Sequence, residues 1–211
     1  MSVHESQPAY SGRMGSRADQ KQQTRQAILR AAAEALAEGG VKNASLVGIG
    51  KRAGVAHTTV LYHFGSVHEL LVAVLKERDR LFLEQFVGES WTGGGFAALL
   101  NLPANGRFCV DNPELTKLFT VLLVENFDPS QPLHDYFLAR QRLTRDINVA
   151  MMRAAIEAGD MRDDVDVEAK ADEILSFQTG AQIMWALDPE HCDLVQMYEA
   201  YTEGLRADLA R

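Results

Sequence analysis

Apolar residues recur at three- and four-residue spacing through almost the whole chain beyond residue 20, and no stretch alternates apolar and polar as a half-buried strand would. The first such segment runs from Lys21 to Glu38, with Ile28, Leu29, Ala32, Ala33 and Leu36 on one face, and Gly39-Gly40 is expected to close it. Ser45 is placed to cap a short helix holding Leu46, Ile49 and Ala53, which Gly54 ends. A second short helix is predicted over Ala56 to His63. Ser66 then caps a long one through Leu70, Leu71, Val74, Leu75 and Leu81 to about Phe86. Gly93-Gly94-Gly95 reads as a flexible joint, since it lacks the Lys-Ser/Thr ending of a phosphate loop. Further helices are predicted over Phe96 to Cys109, Pro113 to Glu125, and Pro132 to Ala158, where Gly159 stops the helix. The acidic run Asp160 to Glu168 leads into a helix from Val167 to Leu187. Pro189 breaks that helix, and a last one covers Asp193 to Leu209. The pattern predicts an all-α protein.

The totals narrow the class. The chain has 211 residues, 46% hydrophobic and 24% charged, and its apolar runs fall short of the ~18 residues that span a bilayer. Met1 to Arg17 has no apolar stretch, so residues 1–19 are expected to be a disordered arm, not a signal peptide. Residues 20–66 would then form a small head, and residues 67–211 a larger helical body joined to it by the helix over 67–87. Cys109 and Cys192 lie far apart with no CxxC spacing, which suits a reducing cytoplasm and two bystander thiols. The net charge of −8 is unevenly divided: residues 1–66 carry eight Lys/Arg against four Asp/Glu, a net +4, leaving −12 for the rest. Local field, more than the total, decides whether a phosphate backbone is attracted.

The sharpest pattern is Ser45 to Phe64. Two short helices meet at Ala53-Gly54-Val55, and Leu46, Ile49, Val55, Val60 and Phe64 are spaced to share one core. In a helix-turn-helix the first helix crosses the DNA backbone and the second enters the major groove. The second helix would present His57, Thr58, Thr59, Tyr62 and His63 to base edges and phosphates. Tyr62 either hydrogen-bonds a phosphate or covers the turn, and His63 either reaches a phosphate or braces the helix junction. Ser45 caps its helix and also offers a hydroxyl and backbone N–H to a phosphate. A helical hairpin with no nucleic-acid role would share the spacing.

The order Thr24-Arg25-Gln26-Ala27-Ile28-Leu29, Ala44-Ser45-Leu46-Val47-Gly48-Ile49, Ala53-Gly54-Val55, Leu61-Tyr62-His63-Phe64-Gly65-Ser66 and Glu69-Leu70-Leu71 resembles the N-terminal domain of TetR-type repressors over residues 20 to 80. Gly159 to Asp166, followed by a helix with Gly180 and Trp185 and then Leu187-Asp188-Pro189, resembles the C-terminal half of some members. Several positions depart from the family's pattern: Ala56 stands where Ser commonly caps the second helix, Thr58 for Gly, Leu61 for Tyr, and Val67 for Lys. The resemblance implies a dimeric regulator, a repressor by family expectation, that binds a palindromic double-stranded operator. Arg25, Ser45, Lys51, His57, Thr58, Thr59, Tyr62 and His63 would make the DNA contacts.

The body would supply the dimer surface and a sensor. The last two helices carry apolar stripes, and a four-helix bundle between subunits would use Gln178, Gln182, Trp185, Met197 and Tyr201; the same stripes could be intrachain core. Phe96, Phe108, Phe119, Leu123, Phe127, Met151, Phe177 and Met184 are the candidate lining of an effector site, because Phe and Met suit apolar, adaptable pockets. The effector would be an apolar or amphipathic small molecule. No cofactor, metal or membrane partner is expected, and no enzyme: His57, His63 and His68 share no helical face, and HExxH, GxSxG and Walker patterns are absent from the sequence. Asp160, Asp163, Asp164 and Asp166 lack the glycine and terminal glutamate of a calcium loop. The departures at Ala56, Leu61 and Val67 motivate one rival reading, an interaction protein that keeps the fold with weak or lost DNA binding.

Overall fold

The computed structural model describes residues 16–43, 45–87 and 95–211. Among them are ten helices: α1 (Arg17–Asn43), α2 (Leu46–Arg52), α3 (His57–Phe64), α4 (Val67–Val87), α5 (Gly95–Leu99), α6 (Leu102–Asp111), α7 (Pro113–Glu125), α8 (His134–Ala158), α9 (Val167–Leu187) and α10 (Leu194–Leu209). No strand occurs among the described residues, and the only bridge pairs Met161 with Ala210. The fold is all-α, as the spacing predicts. No single helix there is long and apolar enough to cross a membrane.

Helix ends follow their caps. α1 opens earlier than the apolar pattern because Ser16 and Asp19 cap each other: the Ser16 N–H donates to the Asp19 carboxylate at 2.8 Å and the Asp19 N–H to Ser16 Oγ at 3.2 Å. Arg17 to Asp19 are therefore helical and not part of an arm; the remainder of the expected arm, 1–15, lies outside the described residues. α1 also passes through Gly39-Gly40 to Asn43. Two glycines cost a helix about 1 kcal/mol each relative to alanine, a penalty rather than a stop. The helix expected over Phe96 to Cys109 is two helices, since Pro103 has no N–H to give the preceding turn and is accommodated only in a first turn. Of the glycine joint, Gly93 and Gly94 fall outside the described residues and Gly95 begins α5. Elsewhere Ser45, Ser66, Asp166 and Asp193 accept the capping bonds. Gly159 ends α8 in the left-handed conformation.

Two apolar clusters organise these helices. One joins Ile28, Leu29 and Leu36 of α1, Ile49, Val60 and Phe64 of the short pair, and Leu70, Leu71, Val74 and Leu75 of α4. It continues into Leu118, Phe119 and Leu122 of α7 and Phe137 of α8. The boundary expected at residue 66 thus runs through a continuous core. The second cluster lies wholly in the body, around Phe108, Met152, Ile174, Trp185, Tyr198 and Leu205. There α6 approaches α10 closely: a side chain on Gly106 would meet the Tyr198 ring at 3.1 Å. The C-terminal end is tied down by the Arg162 N–H donating to the Leu209 carbonyl and by Lys170 bridging Glu173 and Asp208.

The chain passes closely over itself between α2 and α3. The Val55 N–H donates to the Gly50 carbonyl at 2.8 Å, and a Cβ on Gly50 would lie 2.8 Å from the Val55 carbonyl oxygen. Gly50→Ala is therefore expected to lower stability by about 1–3 kcal/mol, the usual cost of overpacking. Thermal melts followed by circular dichroism test this, and an unchanged Tm would remove the close approach as a constraint.

Candidate nucleic-acid interface and effector cavity

The head presents α3 on a rigid base. Ile49, Val60 and Phe64 are buried, with Leu46 and Val55 packed against them, so the five residues spaced for a shared core do form one. Gly54 takes φ +72° at the turn, a conformation that L side chains rarely adopt. Arg52 clamps α2 onto α1 by a two-pronged pair with Glu38, at 2.9 and 2.6 Å, supported by Glu34 at 3.5 Å. That basic charge is thus neutralised within the head.

The buried side of α3 leaves the opposite side to solvent. His57, Thr58 and Tyr62 are exposed, Tyr62 at 74%, while Thr59 and His63 are half-buried. Lys51 and Ser45 are exposed on α2 and at its start, and Ser45 Oγ accepts the Gly48 N–H at 3.0 Å. Ala56 gives α3 no side-chain cap. Arg25 is half-buried, stacked 4.5 Å from the Phe64 ring centroid, so it braces the underside of α3 more than it projects. Sequence spacing missed Lys21, whose ammonium sits 5.5 Å from the Tyr62 ring centroid. Its position on a different helix, far away in the chain, left no local signal.

His63 lies between these cations. Burial, then the charges of Lys21 and Arg25, hold its imidazole below the ordinary histidine range.

The body holds a part-open cavity of about 260 Å³ between α4, α5, α6, α7, α8 and α9. Leu99, Leu102, Phe119, Leu123, Phe137 and Met151 are among its apolar walls. Of the eight residues expected to line such a site, Phe119, Leu123 and Met151 do. Phe108 is buried behind the wall against Phe82, Phe96 packs on the body core, and Phe177 stacks on Tyr201 with 3.9 Å between centroids. Phe127 and Met184 are exposed, at 63% and 59%, and belong to no lining. An apolar residue on a helix does not disclose which of two faces is apolar because of core and which because of a cavity.

Two residues expected at a dimer surface, Gln178 and Gln182, line this cavity. Gln182 is buried and its side-chain amide donates to the Tyr198 hydroxyl at 3.3 Å; Asn105 donates to the same oxygen at 3.2 Å. Trp185 is buried in the body core. Met197 packs against that core beside Cys192, and Tyr201 donates to Glu173 at 3.0 Å. All five make contacts within the one subunit, because the stripe that carries them is also the inner face of α9 and α10.

The cavity also holds charge. Arg78 on α4 exposes only 3% of its surface and lies 4.3 Å from the Phe119 ring centroid; Arg140 on α8 lies 4.6 Å from the same ring. Both reach Asp79, Arg78 by one bond of 3.1 Å and Arg140 through Nε and Nη2 at 3.0–3.2 Å, and Tyr136 donates to it as well. The sequence carried a signal for Arg78 that apolar counting passes over: it occupies the α4 stripe between Leu71, Val74, Leu75 and Phe82.

Among the described residues no three His, Cys, Asp or Glu side chains gather as a metal site. The acidic run serves as loop and cap: Arg162 pairs with Asp164, and Asp166 caps α9. Both cysteines are free thiols.

A helix-turn-helix head on an all-helical body with an internal cavity defines a DNA-reading transcription regulator. Residues 28–74 match the family model of bacterial regulatory proteins, tetR family. The chain is 26% identical over 164 residues to the HTH-type transcriptional regulator SrpR of Pseudomonas putida, an overlap of 77% of this chain and 75% of that one. The solved SmeT–triclosan complex has a TM-score of 0.74 at 22% identity, covering 89% and 92% of the two chains; SmeT is the repressor of the Stenotrophomonas maltophilia multidrug efflux pump SmeDEF. FadR from Bacillus subtilis, in complex with stearoyl-CoA, has a TM-score of 0.75 at 20% identity over 86% and 97%. The structural likeness establishes the fold, and the family match falls on the helix-turn-helix itself. Residues 28–74 thus form a tetR-type helix-turn-helix domain.

The environment of His63 yields a titration. Below about pH 6.5 the unfolded chain takes the proton more readily than the folded one. His63 therefore contributes stability present above that pH and lost as pH falls through its lower native midpoint. Proton NMR should find that midpoint below 6.5 in the free protein and raised by bound DNA, whose phosphates favour the charged ring. A free-protein midpoint at or above 6.5 would remove Lys21 and Arg25 as its neighbours.

Proposed function

We propose that the protein is a cytoplasmic, homodimeric repressor whose α3 helices read a palindromic double-stranded DNA operator and whose cavity holds a small apolar or amphipathic effector. One observation carries the coupling: Phe119 and Phe137 belong to the cluster that holds the head and also line the cavity. An occupant that moves either ring moves α7 or α8 against α1 and α4, and so changes the spacing of paired heads. Such an effector releases DNA only by favouring the low-affinity arrangement by a few kcal/mol. Triclosan and stearoyl-CoA in the two similar structures support a hydrophobic class of ligand.

The DNA contacts are assigned to Ser45, Lys51, His57, Thr58, Thr59, Tyr62 and His63, with Lys21 and Arg25 beside them. The dimer surface is assigned to the outer end of α9, where Ile183, Met184 and Leu187 are exposed, Leu187 at 86%. A Met184→Lys, Leu187→Asp double variant should sediment as a monomer at micromolar concentration while keeping its helical spectrum; a dimer of unchanged affinity would place the interface elsewhere.

The exposed apolar Leu61 and Val67, with the uncapped start of α3, favour a second reading, an adaptor with little DNA affinity. Selection from a random double-stranded library at low salt separates the two. One palindrome should be enriched by the native protein, and lost by a Tyr62→Ala, His63→Ala double variant, with affinity falling steeply as salt rises. No enrichment by protein stripped of co-purified ligand would leave the adaptor reading.

A further inference from the structure

On the reading that this cavity is the effector site, we propose that its effector is an anion, a small amphipathic acid whose carboxylate pairs with Arg78 while its apolar part fills the space along Leu99, Leu123 and Met151.

The cavity is short of negative charge. The ionisable side chains lining it are Arg78, Asp79 and Arg140, two cations and one carboxylate. Asp79 already accepts from Arg140 twice over, from the Tyr136 hydroxyl and from Arg78 Nη1. Its oxygens are thereby committed, and Arg78 Nε, buried, has no hydrogen-bond partner. The buried Asn148 Nδ2, also in the lining residue set, is likewise unpartnered. A buried guanidinium with an unmet donor is costly, because desolvation is repaid only by full pairing. Burial, followed by the Arg140 charge, accordingly pulls Arg78 below the usual arginine range. Cys109 nearby supplies no counter-charge, since burial pushes its thiol up and keeps it protonated at neutral pH. Phe119 and Phe108 offer Arg78 only their ring faces.

A carboxylate balances the excess cation and, with a small shift of the Arg78 side chain, accepts from its guanidinium, a charge-assisted bond stronger than a neutral one. A neutral alcohol could accept a bond but leaves the charge unbalanced. An amine would add to it. The volume, about 260 Å³, suits a compact molecule. The position also matters for sensing: Arg78 sits on α4 one turn beyond Val74 and Leu75, which are buried in the head-side core.

The test is calorimetric titration of the full chain, free of DNA, with octanoate, octanol and octylamine. Octanoate should bind at least about tenfold more tightly than octanol, with octylamine weakest, a margin typical of one charge-assisted contact. Arg78→Met keeps the volume and leaves Asp79 paired with Arg140; it should fold and bind acid and alcohol within about threefold of each other. Arg78→Lys should restore a preference for the acid. Equal binding of octanoate and octanol by the native protein, or an acid preference that survives in Arg78→Met, overturns the proposal, as does the absence of binding by all three. None of these outcomes depends on DNA binding. Release of the selected operator by neutral hydrophobic compounds, scored separately, decides whether the cavity senses anything.

Discussion

Helix α4 is buried at its two ends by different partners, and the rest of the molecule depends on that double burial. Leu70, Leu71, Val74 and Leu75 lie in the core that holds the reading head, while Leu81 and Phe82 pack against the core of the body. Each large apolar side chain fully buried stabilises by roughly 1.5–3 kcal/mol. No loop between the two halves could transmit a displacement with the stiffness of one helix gripped on both sides. α7 reinforces the arrangement, since Leu118, Phe119 and Leu122 join the head-side core from the body.

Charge is distributed to match. The head's surplus of Lys and Arg is partly spent internally, as Arg52 is clamped by Glu34 and Glu38, so the field offered to DNA comes from fewer residues than the count suggests. Lys21 and Arg25 concentrate what remains beside Tyr62 and His63. In the body, surface pairs such as Arg145 with Asp172 and Arg153 with Glu168 connect neighbouring helices. Exposed pairs of this kind are screened by solvent and contribute little. They follow the packing of α8 on α9 and do not decide it.

The cavity is where packing is least complete. Tyr198, Asn105 and Gln182 form a satisfied polar network on one side, and Asp79, Arg140 and Tyr136 another. Between them Arg78 and Asn148 keep donors without partners. A structural core rarely tolerates such groups, and both residues belong to the lining of the cavity, which separates this region from ordinary interior. Phe108, by contrast, is large, apolar and fully buried against Phe82. It packs the body core and turns a ring face toward Arg78.

The helices, most of their caps and the two-helix reading motif were legible in the sequence, because hydrophobic period and capping chemistry are local. Ser45, Ser66, Asp166 and Gly159 act within four residues of where they stand, and Val167–Leu187 and Pro113–Glu125 have the ends that their flanking residues dictate. Local rules also erred where two of them competed, as at Gly39-Gly40, where helix continuation won, and at Pro103, where it lost. What only tertiary structure decided is partnership across helices. That Gln182 and Trp185 face inward, that Met184 and Phe127 face outward, and that Lys21 meets Tyr62 depend on how helices cross. A stripe on one helix is the same whether it meets its own chain, a second subunit or an empty space. Only the crossing of α4, α7, α8 and α9 distinguishes these, leaving a cavity with Arg78 at its wall.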